Sequence, residues 1–182
     1  MKQCKYRKQN RSIGYDYSAN GYYSITICTQ KREYIFGDIV SNEMLLNQYG
    51  DIVKNSWLDL PNHHMGIELD QFIIMPNHIH GIIIINNPVG NGPARSSNNH
   101  INNNLSVIIG SYKSTVTKQI NRINDNTFKW QKSFYDHIVR IDKSLSRIRG
   151  YIINNPKNWE LDENNIFVED IFRQFIFIEC FK

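Results

Sequence analysis

The sequence predicts an α+β domain in which helices cover an antiparallel sheet, and three observations lead there. Residues 66–75 and 78–85 read as strands separated only by Pro76-Asn77, a connection short enough to require an antiparallel hairpin. The second of these strands ends in Ile82-Ile83-Ile84-Ile85, the composition of a strand buried on both faces at the centre of a sheet. Residues 47–60, 105–123 and 143–155 instead repeat their apolar positions every three or four residues, as helices lying on such a sheet do.

With 182 residues the chain is long enough to bury a core without metal or disulfides, and it reads as one domain over residues 1–165 followed by a tail at 166–182. Its hydrophobic content of 41% and charged content of 21% are those of a globular protein. No apolar run reaches the roughly 20 residues of a membrane span, and the basic start lacks the apolar segment of a secretory signal, so a cytoplasmic location is expected. Three scattered cysteines, Cys4, Cys28 and Cys180, argue against a disulfide framework and against a cysteine zinc site. The net charge of +4 permits nucleic-acid binding without requiring it.

Taken in order, residues 2–11 carry Arg7, Lys8 and Arg11 among five cations and no acid, an arm able to follow a phosphate backbone. Tyr22-Tyr23-Ser24-Ile25-Thr26-Ile27-Cys28-Thr29 alternates β-branched or aromatic with polar residues and predicts the first strand, with Cys28 as a packing residue. In residues 47–60 the positions Tyr49, Ile52, Val53, Trp57, Leu58 and Leu60 make a core-facing stripe that Pro61 ends. His63 and His64 then fall in a turn, where adjacent side chains diverge and chelate poorly.

Residues 86–104, rich in asparagine and glycine, predict a loop. The helix at 105–123 turns Val107, Ile108, Tyr112, Val116 and Ile120 to one face and leaves Lys113, Lys118 and Arg122 for phosphates or solvent. Residues 128–140 interleave Lys129, Lys132 and Arg140 with Phe128, Trp130, Phe134 and Tyr135 before and along a fourth strand. Such a mixture suits single-stranded nucleic acid, although core packing is the commoner use of the aromatics. Asp142 is positioned to cap the last helix, which Pro156 terminates and whose inward stripe is Leu145, Ile148, Tyr151, Ile152 and Asn155.

The chemistry begins at His78 and His80. Alternate residues of a strand share a face, so the two imidazoles project together, roughly 6 to 7 Å apart along the strand, and could close on one cation or simply be hydrogen-bonded beneath a loop. Spacing alone does not choose between these.

The motifs Pro76-Asn77-His78-Ile79-His80-Gly81, Trp130-Gln131-Lys132-Ser133-Phe134-Tyr135-Asp136-His137-Ile138-Val139-Arg140 and Tyr151-Ile152-Ile153-Asn154-Asn155-Pro156-Lys157-Asn158-Trp159, in this order, resemble those of the single-tyrosine HUH transposases. Within that family they look most like the branch associated with repetitive extragenic palindromes (REPs). The resemblance implies a ferredoxin-like antiparallel sheet with the HUH motif on a central strand, and nicking and joining of single-stranded DNA at hairpin-bearing ends. It implies that His78 and His80 ligate a divalent metal ion, Mg²⁺ or Mn²⁺, that Asn155 supplies a third, amide ligand, and that Tyr151 is the nucleophile forming a 5′-phosphotyrosine intermediate. Tyr135 is the alternative tyrosine. The competing expectations are a non-catalytic nucleic-acid-binding protein of the same shape and a metal nuclease that uses water. Either a monomer or a homodimer accommodates the chemistry, depending on whether the tyrosine helix packs on its own sheet.

Overall fold

The described residues form, in chain order, β1 (Gly21–Cys28), β2 (Gly37–Val40), β3 (Glu43–Leu46), α1 (Gln48–Leu58), α2 (Leu60–His63), β4 (Ile67–Met75), β5 (His78–Ile85), α3 (Leu105–Asn121), β6 (Tyr135–Val139) and α4 (Asp142–Asn154). A 3₁₀ helix, Pro156–Leu161, follows. The structure is a computed structural model that describes residues 14–87, 104–123, 127–140 and 142–165. The basic arm with Arg7, Lys8 and Arg11, nearly all of the asparagine-rich loop, Cys4, Cys180 and the tail at 166–182 lie outside the described residues.

The main sheet has the order β4-β5-β1-β6, and every neighbouring pair is antiparallel. Together with α1 and α3 the connectivity is βαββαβ with β5 and β1 in the middle, a ferredoxin-like α+β fold, as the family resemblance implies and in agreement with the predicted antiparallel sheet under helices. Period-2 alternation gives the sheet two apolar faces. Tyr23, Ile25 and Ile27 of β1 and Ile79, Ile83 and Ile85 of β5 join Trp57 of α1 and Ile108, Ile109, Tyr112, Val116 and Ile120 of α3 in the larger core. The opposite face carries a smaller cluster in which Ile82 and Val139 meet Leu145 and Ile152 of α4. His78 and His80 share the parity of Ile82, so the strand turns both toward the α4 side.

Gly81 follows from this packing: a Cβ there would lie 2.4 Å from Cζ2 of Trp57, so the indole can lie on the sheet centre only if residue 81 has no side chain. Helix α1 starts where Asn47 Oδ1 accepts from the N–H groups of Tyr49 and Gly50, at 2.9 and 3.1 Å. Asn104 caps α3 in the same way through Ser106 N–H.

Several elements depart from the sequence expectations. Pro61 does not stop a helix: α1 ends at Leu58, and Pro61 lies in the first turn of α2, where its missing N–H has no partner to lose. The hairpin of β2 and β3 is unexpected, because its strands are only four residues long and its turn, Ser41-Asn42, takes positive φ (51° and 65°) without glycine. Val107 is not inward but 48% exposed; Leu105 and Ile109 take the buried positions of α3 instead. Phe128, Trp130 and Phe134 belong to the core, leaving Tyr135 as the exposed aromatic of that segment. Among the described residues no helix is long and apolar enough to cross a membrane.

Candidate active site

His78 and His80 open the central strand β5, completely buried and 7% exposed respectively. Their rings are 4.5 Å apart and steeply inclined, closer than strand spacing alone predicts because the side chains lean together. Sheet register supplies the partner that orients His80, and the turn before β5 supplies that of His78. Thr26 lies directly across from His80 on β1, and its hydroxyl is 2.7 Å from His80 Nδ1. His78 Nδ1 lies 2.8 Å from Oδ1 of Asn77, whose amide nitrogen donates to the carbonyls of Arg32 and Asn164. That leaves the Asn77 oxygen to accept, so His78 carries its proton on Nδ1 and presents a bare Nε2.

This Nε2 is buried and has no hydrogen-bond partner. Burial drives the His78 pKa well below the ordinary histidine value, with the charge of His80 adding to the effect. Burial likewise lowers His80, to about 4, against a smaller opposing pull from Asp162. Both rings are therefore neutral at pH 7, the form that ligates metal.

Tyr151 reaches the pair from α4. Its hydroxyl is 3.2 Å from His80 Nε2 and 3.3 Å from Oδ2 of Asp162, and the rings of Tyr151 and His80 meet edge to face at 5.1 Å. The sequence puts Tyr151 on the inward stripe; the structure leaves the residue 49% exposed, at the rim between sheet and solvent. Burial of the hydroxyl, the Asp162 charge and the hydrogen bond to Asp162 raise its pKa above the ordinary tyrosine value. Helix α4 is held down by Arg149, whose Nε lies 3.0 Å from both carboxylate oxygens of Asp70 while Nη2 pairs with Oδ2. Asp70 occupies the irregularity of β4 between Leu69 and Phe72, where the ladder with β5 lapses. Because α4 packs on the sheet of its own chain, Tyr151 and the histidines meet within one molecule.

Asn155, one turn beyond Tyr151, is 1% exposed. Its Nδ2 donates to Asp162 Oδ2 at 2.9 Å, while its Oδ1 is buried and unpartnered. Asp162 is the residue that sequence reasoning missed: nitrogen atoms of His78 and His80 and a carboxylate oxygen of Asp162 all lie within 4.8 Å of one another. The one hint in the sequence is the acidic character of the chain beyond Trp159, and no spacing rule ties it to the histidines. Burial opposes ionisation of Asp162, but His78, the Asn164 N–H and the Asn155 amide outweigh it and hold the carboxyl below its ordinary value. Two neutral imidazoles, a carboxylate and an unpartnered amide oxygen, all buried, form a donor set that fits a divalent cation.

The cations predicted to meet DNA divide into groups. Lys118, Arg122, Lys129 and Lys132 line a cavity of about 840 Å³ together with Trp130 and Gln131. This wall adjoins the histidines through the sheet: Thr29 bridges to Trp130, Gln131 N–H donates to Cys28 O, and Cys28 pairs with His78. Lys113 lines the same cavity but turns its ammonium onto the carbonyls of Gln131, Lys132 and Ser133, so it braces the segment that carries the other cations. Arg140 is exposed at the end of β6, beyond this cavity lining.

No protein-family profile matches the chain. An uncharacterised protein of Haemophilus influenzae is 34% identical over 166 residues, covering 87% of this chain and 92% of that protein. A second Haemophilus influenzae protein, provisionally named a REP-associated tyrosine transposase, is 24% identical over 147 residues, 78% of this chain and 73% of the relative. Among solved structures, a REP-associated tyrosine transposase bound to a REP hairpin superposes with a TM-score of 0.50 at 17% identity, covering 81% of this chain and 74% of that one. The chain thus shares its fold with that REP-associated tyrosine transposase. The 34% identical protein is a relative matched over most of both lengths, and the likeness to REP-associated tyrosine transposases rests on the 24% identical protein and on the shared fold.

Proposed function

We propose that the chain nicks and rejoins single-stranded DNA at hairpin-bearing ends through a covalent bond to Tyr151. The observation that carries this reading is the approach of the Tyr151 hydroxyl to within 3.2 Å of His80 Nε2, beside the unpartnered Nε2 of His78. A divalent cation, Mg²⁺ or Mn²⁺, held by His78, His80 and Asn155 would supply a Lewis acid for a non-bridging oxygen of the scissile phosphate.

The chain's own groups do the rest. Forming phenolate from an ordinary tyrosine at pH 7 costs about 4 kcal/mol, and burial beside Asp162 adds to that cost here. The hydroxyl is therefore unreactive until a phosphate and its counter-charge enter. As the Tyr151 Oη–P bond forms, the P–O3′ bond breaks; the phenol loses its proton and the departing 3′ oxygen gains one, leaving a 5′-phosphotyrosine and a free 3′-hydroxyl. The reverse step, with the same or another 3′-hydroxyl, joins ends without an external nucleotide. Lys118, Arg122, Lys129 and Lys132 would neutralise backbone phosphates along the cavity wall, with Arg140 farther along the strand. The arm with Arg7, Lys8 and Arg11 would add to this hold. A monomer suffices for the chemistry, and a homodimer is compatible with it.

Incubation with single-stranded hairpin oligonucleotides and Mn²⁺, followed by a denaturing gel, tests the reading. A protein–DNA band is expected from the wild type and none from Tyr151→Phe, with DNA binding retained. Cleavage without a protein-linked product would replace the tyrosine mechanism with hydrolysis by water, and an adduct persisting in Tyr151→Phe would move the nucleophile to another tyrosine, Tyr135 first.

A further inference from the structure

We propose that Asp162 is a metal ligand of this site, forming a two-histidine, one-carboxylate set with His78 and His80, and that Asn155 and Asn77 act as positioning residues around it. The inference rests on the nicking reading above and deepens it, replacing a neutral third ligand with an anionic one.

The first argument is convergence. The Asp162 carboxylate and the two imidazoles offer donor atoms all within 4.8 Å of one another, and all three residues are buried. A carboxylate oxygen is a hard, charged donor. It attracts a divalent ion more strongly than an amide dipole at the same place and leaves coordination positions open for a phosphate oxygen and water.

The second is that the segment carrying Asp162 is tied to the histidine strand. Asp162 Oδ1 accepts from Asn164 N–H at 2.7 Å, fixing the turn that presents Oδ2 to the site. The carbonyl of Asn164 accepts from Asn77 Nδ2 at 2.8 Å, and Asn77 Oδ1 accepts from His78. One amide thus sets the tautomer of a histidine and anchors the turn that delivers the carboxylate. Trp159 stacks near His78 at 6.0 Å, and Asn165 Nδ2 donates to Trp159 O, closing the segment over the ring. The connection from Pro156 to Asn165 therefore acts as a built arm of the site.

The third concerns the nucleophile. Asp162 Oδ2 accepts from both Asn155 Nδ2 and the Tyr151 hydroxyl. A cation held by this oxygen would compete with the phenol for it, so metal binding and release of the tyrosine toward phosphorus would be one event. Asn155 keeps the carboxylate aimed while this happens.

The test is Mn²⁺ binding to the full chain without DNA, by calorimetry and by electron paramagnetic resonance. Asp162→Asn is expected to weaken Mn²⁺ at least about tenfold, Asp162→Glu less, and Tyr151→Phe not at all. Because Asp162→Asn also disturbs its turn, wild-type protein labelled with ¹³C in its aspartate carboxyls provides a second readout: bound Mn²⁺ should show ¹³C hyperfine coupling. Unchanged affinity in Asp162→Asn, or Mn²⁺ bound by the wild type without that coupling, overturns the assignment. Failure here is distinct from failure of the nicking reading, which is decided by the Tyr151–DNA adduct alone.

Discussion

The chain contains two histidine pairs, and they differ in what converges on them. His63 and His64 are adjacent at the end of a one-turn helix; His63 is solvent-exposed and bonded at 2.8 Å to Asp59, four residues back, while His64 is the residue after the helix. His78 and His80 are alternate residues of a central strand, buried, inclined toward each other, and each held through Nδ1 by a polar group, Thr26 across the sheet for His80 and the preceding turn residue Asn77 for His78. What separates the pairs is not the donor type but the convergence of other elements. The hydroxyl of Tyr151 and the carboxylate of Asp162 reach the strand pair, whereas His63 is met by one carboxylate from its own turn. The cavity beside His63, lined also by Asn55, Asn62, Ser111, Thr115 and Gln119, holds no second imidazole, no carboxylate besides Asp59 and no cationic group.

The strongest way to break this comparison is to remove each pair in turn. His78→Ala with His80→Ala is expected to cut adduct formation by at least about 10³-fold, since the whole Lewis-acid contribution is lost. His63→Ala with His64→Ala should leave it within about twofold. Equal losses in a gel-based rate assay would mean that burial and convergence do not distinguish the pairs.

Asn77→Ala tests whether orientation, beyond presence, makes the strand pair. It deletes the acceptor of His78 and the anchor of the 164 turn together, and Mn²⁺ affinity should fall about 10- to 100-fold with both histidines intact. A calorimetric titration matching the wild type would show that Asn77 positions neither the imidazole nor the carboxylate.

Acid stability probes the strand pair in another way. The folded pKa of both histidines lies below the unfolded value of about 6.5, so the unfolded chain binds the extra protons as pH falls. Their neutral burial therefore contributes no penalty above pH 6.5, and stability is lost as pH drops from there toward 4. His80 alone accounts for roughly 3 kcal/mol across that window. Urea midpoints measured from pH 7 to pH 4 should fall accordingly, and less steeply in His80→Gln; identical slopes would contradict the burial argument.

A smaller effect is expected at Arg149, which belongs to neither pair but sets the height of α4 above the strand histidines. Arg149→Ala leaves Asp70 in the ladder gap without its fork and should lower the urea midpoint of the fold. It should also slow adduct formation about tenfold by loosening Tyr151. Arg149→Lys, which keeps the charge but not the bidentate geometry, should recover part of the stability and less of the rate. A rate loss no larger in Arg149→Ala than in a distant variant of equal stability would remove the positioning role.

Much of the architecture is legible in the residues. Period-2 runs, four consecutive isoleucines and a two-residue connection specify a central antiparallel hairpin, and the 3.6-residue stripes specify the helices, because both patterns are local consequences of backbone geometry. The short hairpin at 37–46 escapes, since neither strand is long enough to show a period and its turn uses serine and asparagine in place of glycine. The aromatics at 128–134 illustrate a second limit: one composition serves a stacking surface or a core, and only the partners of Phe128 and Trp130 decide that it is core here.

For the site, the sequence by itself determines that two histidines share a face of β5 and that Tyr151 and Asn155 lie one helical turn apart. These relations are local, the first within β5 and the second between α4 and the residue that follows it. Only the tertiary structure decides that Thr26 faces His80, that Lys113 is spent on main-chain carbonyls, that Tyr151 stands at the rim, and that Asp162 arrives beside the imidazoles. Each of these joins segments distant in sequence, and their meeting is set by strand register, by the lapse in β4 that receives Arg149, and by the amide of Asn77. No periodicity in the chain encodes such contacts, because they arise from packing between elements and not from the geometry of any one of them.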